Sequence, residues 1–151
     1  MSVAAAIRPD SGNFPLFLHV LGAMIFVGGL LTCVGMFALA RGGARVLRLG
    51  YWSLVAVAVP GYLLMRVGAE WIYSKEGWDD VVNEPDWIGL GYLIADTGAL
   101  VLLVALLAGG VGVYRQRKGK GSVLLGITLA LSVVLLTAYV VAVWAMSGKP
   151  G

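Results

Sequence analysis

Four long runs of apolar residues divide this chain, at about 14–40, 46–73, 87–114 and 122–146, and short polar stretches separate them. Each run exceeds the ~20 residues that cross a hydrocarbon core, so each predicts a membrane span with some tilt or interfacial extension. The runs are continuous rather than alternating, which predicts helices and not the strands of a barrel. Short connections between consecutive spans predict an all-α, antiparallel four-helix transmembrane bundle in a single domain.

Composition agrees with that pattern. The chain is 60% hydrophobic and 13% charged, where a soluble domain carries ~25% charged residues. Its formal charge of +3 comes from basic residues in the short loops, so the expected partner is the lipid bilayer and no nucleic acid. Cys33 is the sole cysteine, which excludes an intrachain disulfide and an all-cysteine metal site. Ahead of the first run stand only Arg8 and Asp10 as charges, and the run is too long for a signal-peptide core, so no cleavable signal is expected.

Charge placement sets an orientation. Loop 41–50 carries Arg41, Arg45 and Arg48, and loop 115–121 carries Arg115, Arg117, Lys118 and Lys120, neither with an acid. Loop 74–86 carries Glu76, Asp79, Asp80, Glu84 and Asp86 against Lys75. Lys and Arg are retained on the cytoplasmic side, so the first and third loops are expected inside, and the middle loop and both termini outside, in a cell inner (plasma) membrane. Trp71, Tyr73, Trp78 and Trp87 around the middle loop, with Trp144, read as an interfacial belt. Gly22, Gly28, Gly29 and Gly35 in the first span, and Gly91 and Gly98 in the third, allow close helix approach. Pro60 is expected to kink the second span and free a carbonyl near Ala56.

Four ionisable side chains lie inside the spans: His19, Arg66, Glu70 and Asp96. Such groups are costly in hydrocarbon and call for a functional hypothesis. With Tyr73 and Trp87 at the outer interface, Arg66 lies about 10 Å deep and Asp96 about 14 Å deep, and all four fall in the outer half. Residues three, four and seven apart share a helix face. That spacing groups His19, Gly22, Phe26, Gly29, Cys33 and Met36 in the first span, and Val59, Tyr62, Arg66, Glu70 and Tyr73 in the second. In the third it groups Gly89, Tyr92, Asp96, Ala99 and Leu103, and in the fourth Thr128, Ser132, Leu135, Tyr139, Ala142 and Met146. Each stripe is expected to face the bundle interior. The expected network pairs Arg66 with Asp96 and Glu70, takes hydroxyls from Tyr92 and Tyr139, and sets His19 beside Glu70. The alternative is that the Arg–Asp pair only fixes helix packing.

His19 is the only histidine, so one chain cannot supply bis-histidine haem ligation. His–Met ligation stays open with Met24, Met65 or Met146, and Met146 matches the depth of His19 best. Soft ligands of that kind also suit Cu(I). Cys33 stands about 21 Å along the helix from His19 and cannot share a site with it. No phosphate loop, zinc spacing or nucleophile triad is present, so a hydrolase is not expected.

The stretch Leu18–Gly29 (LHVLGAMIFVGG) joins a histidine to an aromatic, one residue and Gly-Gly. It resembles the first-helix signature of small bacterial membrane families, including copper-resistance protein D and related uncharacterised predicted membrane proteins, with Phe26 where those often have Trp. It is also similar to the small haem-linked protoporphyrinogen oxidase of bacteria, which has an early histidine in its first helix. The resemblance implies a copper or haem role for His19.

The leading expectation is a membrane protein with a polar site opening outward that binds haem, copper or a small redox-active ligand. His19 would be the ligand, with Met146 as a second donor to metal, and Arg66, Glu70, Asp96 and Tyr139 would line the site. The alternative is an accessory or structural subunit of a homo-oligomer or of a complex with other membrane subunits. A proton or ion path through Glu70 and Asp96 lacks polar support toward the cytoplasm, where only Cys33, Thr128 and Ser132 follow.

Overall fold

A computed structural model describes residues 10–40, 43–78, 86–121 and 123–147. The chain ends, and Arg41, Asp79, Asp80 and Glu84 from the charge-bearing loops, lie outside these described residues. Every regular element among them is helical: α1 (Asp10–Leu39), α2 (Ala44–Ser53), a π-helical segment (Leu54–Ala58), α3 (Val59–Glu76), α4 (Asp86–Arg117) and α5 (Val123–Ser147). They compose four helices long and apolar enough to cross a membrane, at Asn13–Leu39, Ala44–Glu76, Asp86–Arg117 and Val123–Ser147. Helices follow from the solvent, because lipid offers backbone N–H and C=O groups no partner beyond the chain itself.

The proline effect in the second span takes a specific form. Pro60 has no N–H to donate and its ring crowds the preceding turn. The chain absorbs this in widened turns immediately before it, where the Val59 N–H donates to the Leu54 carbonyl, five residues back. The Ser53 hydroxyl there donates to the Gly50 carbonyl at 2.7 Å and approaches the Gly29 carbonyl at 3.3 Å, tying the segment to α1. At its C-terminal end α3 stops at Gly77, whose left-handed backbone (φ 70°) closes the helix with its N–H on the Ser74 carbonyl.

Two seams of small residues organise the packing. A Cβ added to Gly22 would strike the backbone of Met65, and one on Gly68 the backbone of His19. One on Gly29 would stand 2.6 Å from the Ala58 nitrogen, and one on Gly61 2.5 Å from the Phe26 nitrogen. Each step of seven residues along α1, from Gly22 to Gly29, is met by seven residues back along this face, from Met65 to Ala58. The two helices run in opposite directions with their backbones nearly touching. In the second seam Gly91 meets the Met146 methyl, Gly98 the Tyr139 ring and Gly109 the Thr128 methyl. Buried Ala95, Gly98, Ala105 and Gly109 of α4 thus complement buried Thr128, Ser132, Leu135 and Tyr139 of α5.

Of the glycines expected at helix contacts, Gly22, Gly29, Gly91 and Gly98 serve that role, while Gly28 and Gly35 face open space. Gly61 and Gly68, not singled out from the sequence, complete the first seam. The two pairs meet where α1 packs on α5 and α2 on α4. The first joint holds Phe26 against Tyr139, with ring centroids 4.6 Å apart, and Cys33 Sγ 3.7 Å from Ser132 Oγ. At the second, the Tyr51 ring covers Gly109 and Gly110. By contrast, α3 and α4 share few backbone contacts, and the Tyr62 and Arg66 side chains reach across to Ala95 and Asp96.

Candidate functional site

The buried stripes of α1 and α5 are those expected from spacing: Gly22, Phe26, Gly29 and Cys33 on one, Thr128, Ser132, Leu135, Tyr139 and Ala142 on the other. The stripes expected to be interior in the second and third spans are not. The buried face of the second is Ala58, Gly61, Met65 and Gly68, and that of the third is Ala95, Gly98, Leu102 and Ala105. Both lie one residue away, a turn of about 100° around the helix. Small residues claim the tight contacts, and the polar stripes are displaced to the edge where α3 faces α4.

That edge carries the ion network. One guanidinium nitrogen of Arg66 lies 2.9 Å from Asp96 Oδ1 and 3.1 Å from Glu70 Oε1. The guanidinium also sits over the Tyr92 ring, 4.6 Å from its centroid. The Tyr62 hydroxyl donates to the Ala95 carbonyl at 3.0 Å, and the Tyr73 and Tyr92 rings meet edge to face at 5.5 Å. The Arg66 side chain is 27% exposed, but those of Glu70 and Asp96 are 52% and 63% exposed. The network is therefore open along the α3–α4 edge and not enclosed within the bundle.

Tyr139 approaches from the other side. It is 5% exposed, its ring packs on Phe26, and its hydroxyl lies beside Gly98 with no hydrogen-bond partner among the described residues. Tyr62, Arg66 and Asp96 are close enough to act on it electrostatically. Phe26 also packs on Tyr62, with centroids 5.6 Å apart, so three rings form the inner wall behind the ion network. Tyr62 belongs to the polar stripe read from the sequence but was not among the expected site residues. Its hydroxyl on the α4 backbone was not legible without knowing that the two helices stand apart.

His19 does not join Glu70 as expected. It lies against Gly68 and its Nδ1 is 3.0 Å from the Met65 carbonyl. A carbonyl only accepts, so Nδ1 carries the proton of this bond. Met65 and Gly68 occupy a different face of α3 from Arg66 and Glu70, which separates the histidine from the ion network. The contacts Cys33–Ser132 and Phe26–Tyr139 advance by seven residues on each helix in opposite directions. The same step continued would bring residue 146 level with His19, but the Met146 methyl lies against Gly91 of α4. Among the described residues no three or more His, Cys, Asp or Glu side chains are grouped to hold a metal ion.

A concavity of about 240 Å³ lies where α2 meets α4, lined by Tyr51, Trp52, Val113, Tyr114 and Arg117. Its basic residue, Arg117, is among the loop charges from which the orientation is expected. No known family model, curated protein or solved structure matches the chain.

Proposed function

We propose that this is a multi-pass protein of the cell inner membrane that holds a small ligand in a polar site opening outward between α3 and α4. In this reading the four spans form one antiparallel bundle. Loops 41–50 and 115–121 are cytoplasmic, and loop 74–86 and both termini face outward. The observation that carries the reading is the Arg66–Glu70–Asp96 cluster: three charged groups within the apolar spans, with both carboxylates more than half open. Charge in that position is costly unless a ligand, water or a partner meets it.

A haem or copper form of the reading rests on His19. Its protonated Nδ1 is held by a backbone carbonyl, the arrangement that orients a histidine for ligation through Nε2. One imidazole and the Met146 thioether fit haem or Cu(I) in donor type. Arg66 is already bonded to two carboxylates, so a haem propionate would have to displace one of them. The fit is better for a ligand held by His19 alone than for a haem clamped by Arg66.

The test is an absorption spectrum and metal analysis of the purified protein, before and after addition of haemin or Cu(I). The expected result is a Soret band or about one bound metal per chain, lost in His19→Ala. A colourless, metal-free preparation that takes up neither would remove the haem and copper forms.

The second reading is an accessory subunit of a homo-oligomer or of a larger membrane complex. It is favoured by the same open edge, since a neighbouring subunit could cover Asp96. In that case Asp96→Ala would weaken assembly without releasing a ligand.

A further inference from the structure

We propose that the α3–α4 edge binds a primary ammonium group on an apolar body. The proposal rests on the ligand-site reading above and names the chemical class of the ligand. Arg66 offers one positive charge to Glu70 and Asp96 through a single nitrogen. The cluster therefore carries a net charge of −1 with both carboxylates ionised. A net charge in a low-dielectric setting draws a counter-charge. Deeper than Tyr73 in the outer half, Arg66 is the only Lys or Arg of the sequence, and His19 is bonded to the Met65 carbonyl on another face.

The geometry around the charge narrows the class. The open faces of the two carboxylates are acceptors, which suit N–H donors and repel anions. The Tyr139 hydroxyl is buried and unpartnered behind them, a costly state that a ligand N–H or a bound water relieves. Tyr62, whose hydroxyl is on the Ala95 carbonyl, and Tyr92, beneath the Arg66 guanidinium, are the half-buried rings at this edge that an apolar body would meet. Aromatic faces beside carboxylates also favour organic cations over bare metal ions. Two sources present this chemistry, a free amine and the headgroup of an aminophospholipid in the outer leaflet.

The test is calorimetric titration of the full chain in maltoside micelles with benzylammonium, using benzyl alcohol as the neutral counterpart. Saturable binding of benzylammonium is expected, with benzyl alcohol weaker by about tenfold or more. Asp96→Asn and Glu70→Gln each cancel the net charge while leaving Arg66 one carboxylate, so each is expected to weaken benzylammonium by a similar factor. Tyr139→Phe is expected to weaken it less. Unfolding temperatures taken alongside verify that the variants are folded.

Mass spectrometry of the extracted protein separates the sources. One aminophospholipid per chain, lost in Asp96→Asn, assigns the site to a lipid headgroup, and benzylammonium binding without retained lipid assigns it to a free amine; both support the proposal. No saturable benzylammonium binding by protein that retains no aminophospholipid, equal binding of benzyl alcohol, or undiminished binding by folded Asp96→Asn and Glu70→Gln would overturn it. A protein that binds haem, copper or a neutral ligand but no ammonium would overturn this inference alone and leave the ligand-site reading in place.

Discussion

Replacing Gly22 or Gly68 with leucine is expected to destroy the folded protein, while leucine at Gly28 or Gly35 leaves it intact. The four glycines differ in what a side chain would meet. At Gly22 the new Cβ falls on the Met65 backbone, and at Gly68 on the His19 backbone, and backbone cannot move aside as a side chain can. Relief requires α1 and α3 to separate along the whole seam, losing the contacts at Gly29 and Gly61 as well. Overpacking commonly costs 1–3 kcal/mol, and backbone collisions fall at about 3 kcal/mol or above. Gly28 and Gly35 have nothing within 4 Å of an added Cβ, and leucine is the better helix former by about 1 kcal/mol. Thermal unfolding in detergent, followed by circular dichroism with size exclusion, checks the contrast. A Gly22→Leu protein that melts with the wild type would show that the seam is not where stability lies.

Arg66→Ala is expected to lower stability by about 2–3 kcal/mol, because it leaves two carboxylates within the apolar spans with no cation. The value sits below that for a fully enclosed pair, since Glu70 and Asp96 are more than half open. The three charges form one unit, so their effects are not additive. The triple variant Arg66→Met, Glu70→Gln, Asp96→Asn removes the charge altogether and is expected to recover most of the loss. Denaturant unfolding of the single and triple variants provides the comparison. If Arg66→Ala is as stable as wild type, the ion network contributes nothing to the fold.

The spans were legible because a continuous run of ~20 or more apolar residues matches the thickness of a hydrocarbon core and suits little else. The stripe on α5 was also legible: Thr128, Ser132 and Tyr139 share one face and point inward, while Thr137, off that face, is exposed. On the second and third spans the rule that polar means interior failed at Tyr62, Arg66 and Asp96. In lipid the outward face is as apolar as the core, so hydropathy does not separate the two, and small residues decide which faces touch. Gly61 and Gly68 with Ala58 and Met65 repeat the spacing of His19, Gly22, Phe26 and Gly29, and that match between two helices was the signal available. From one helix alone, Gly22 and Gly28 look alike. The pairing of Arg66 with Asp96 followed from depth and charge. That the pair lies on an open edge did not, since it depends on α3 and α4 standing apart. Likewise Pro60 announced a disturbed turn but not the π-helical form it takes.

The central claim is that the outer half holds a polar site reached from outside the cell. A single cysteine at Glu70→Cys, in a Cys33→Ala background, tests it most directly. The substitution keeps the Arg66–Asp96 pair, and Cys33 is buried near Ser132, away from the edge. With a membrane-impermeant maleimide, the cysteine is predicted to react in intact cells and to be protected in inside-out vesicles. Reaction only in inside-out vesicles, or only with a lipid-soluble maleimide, would contradict it.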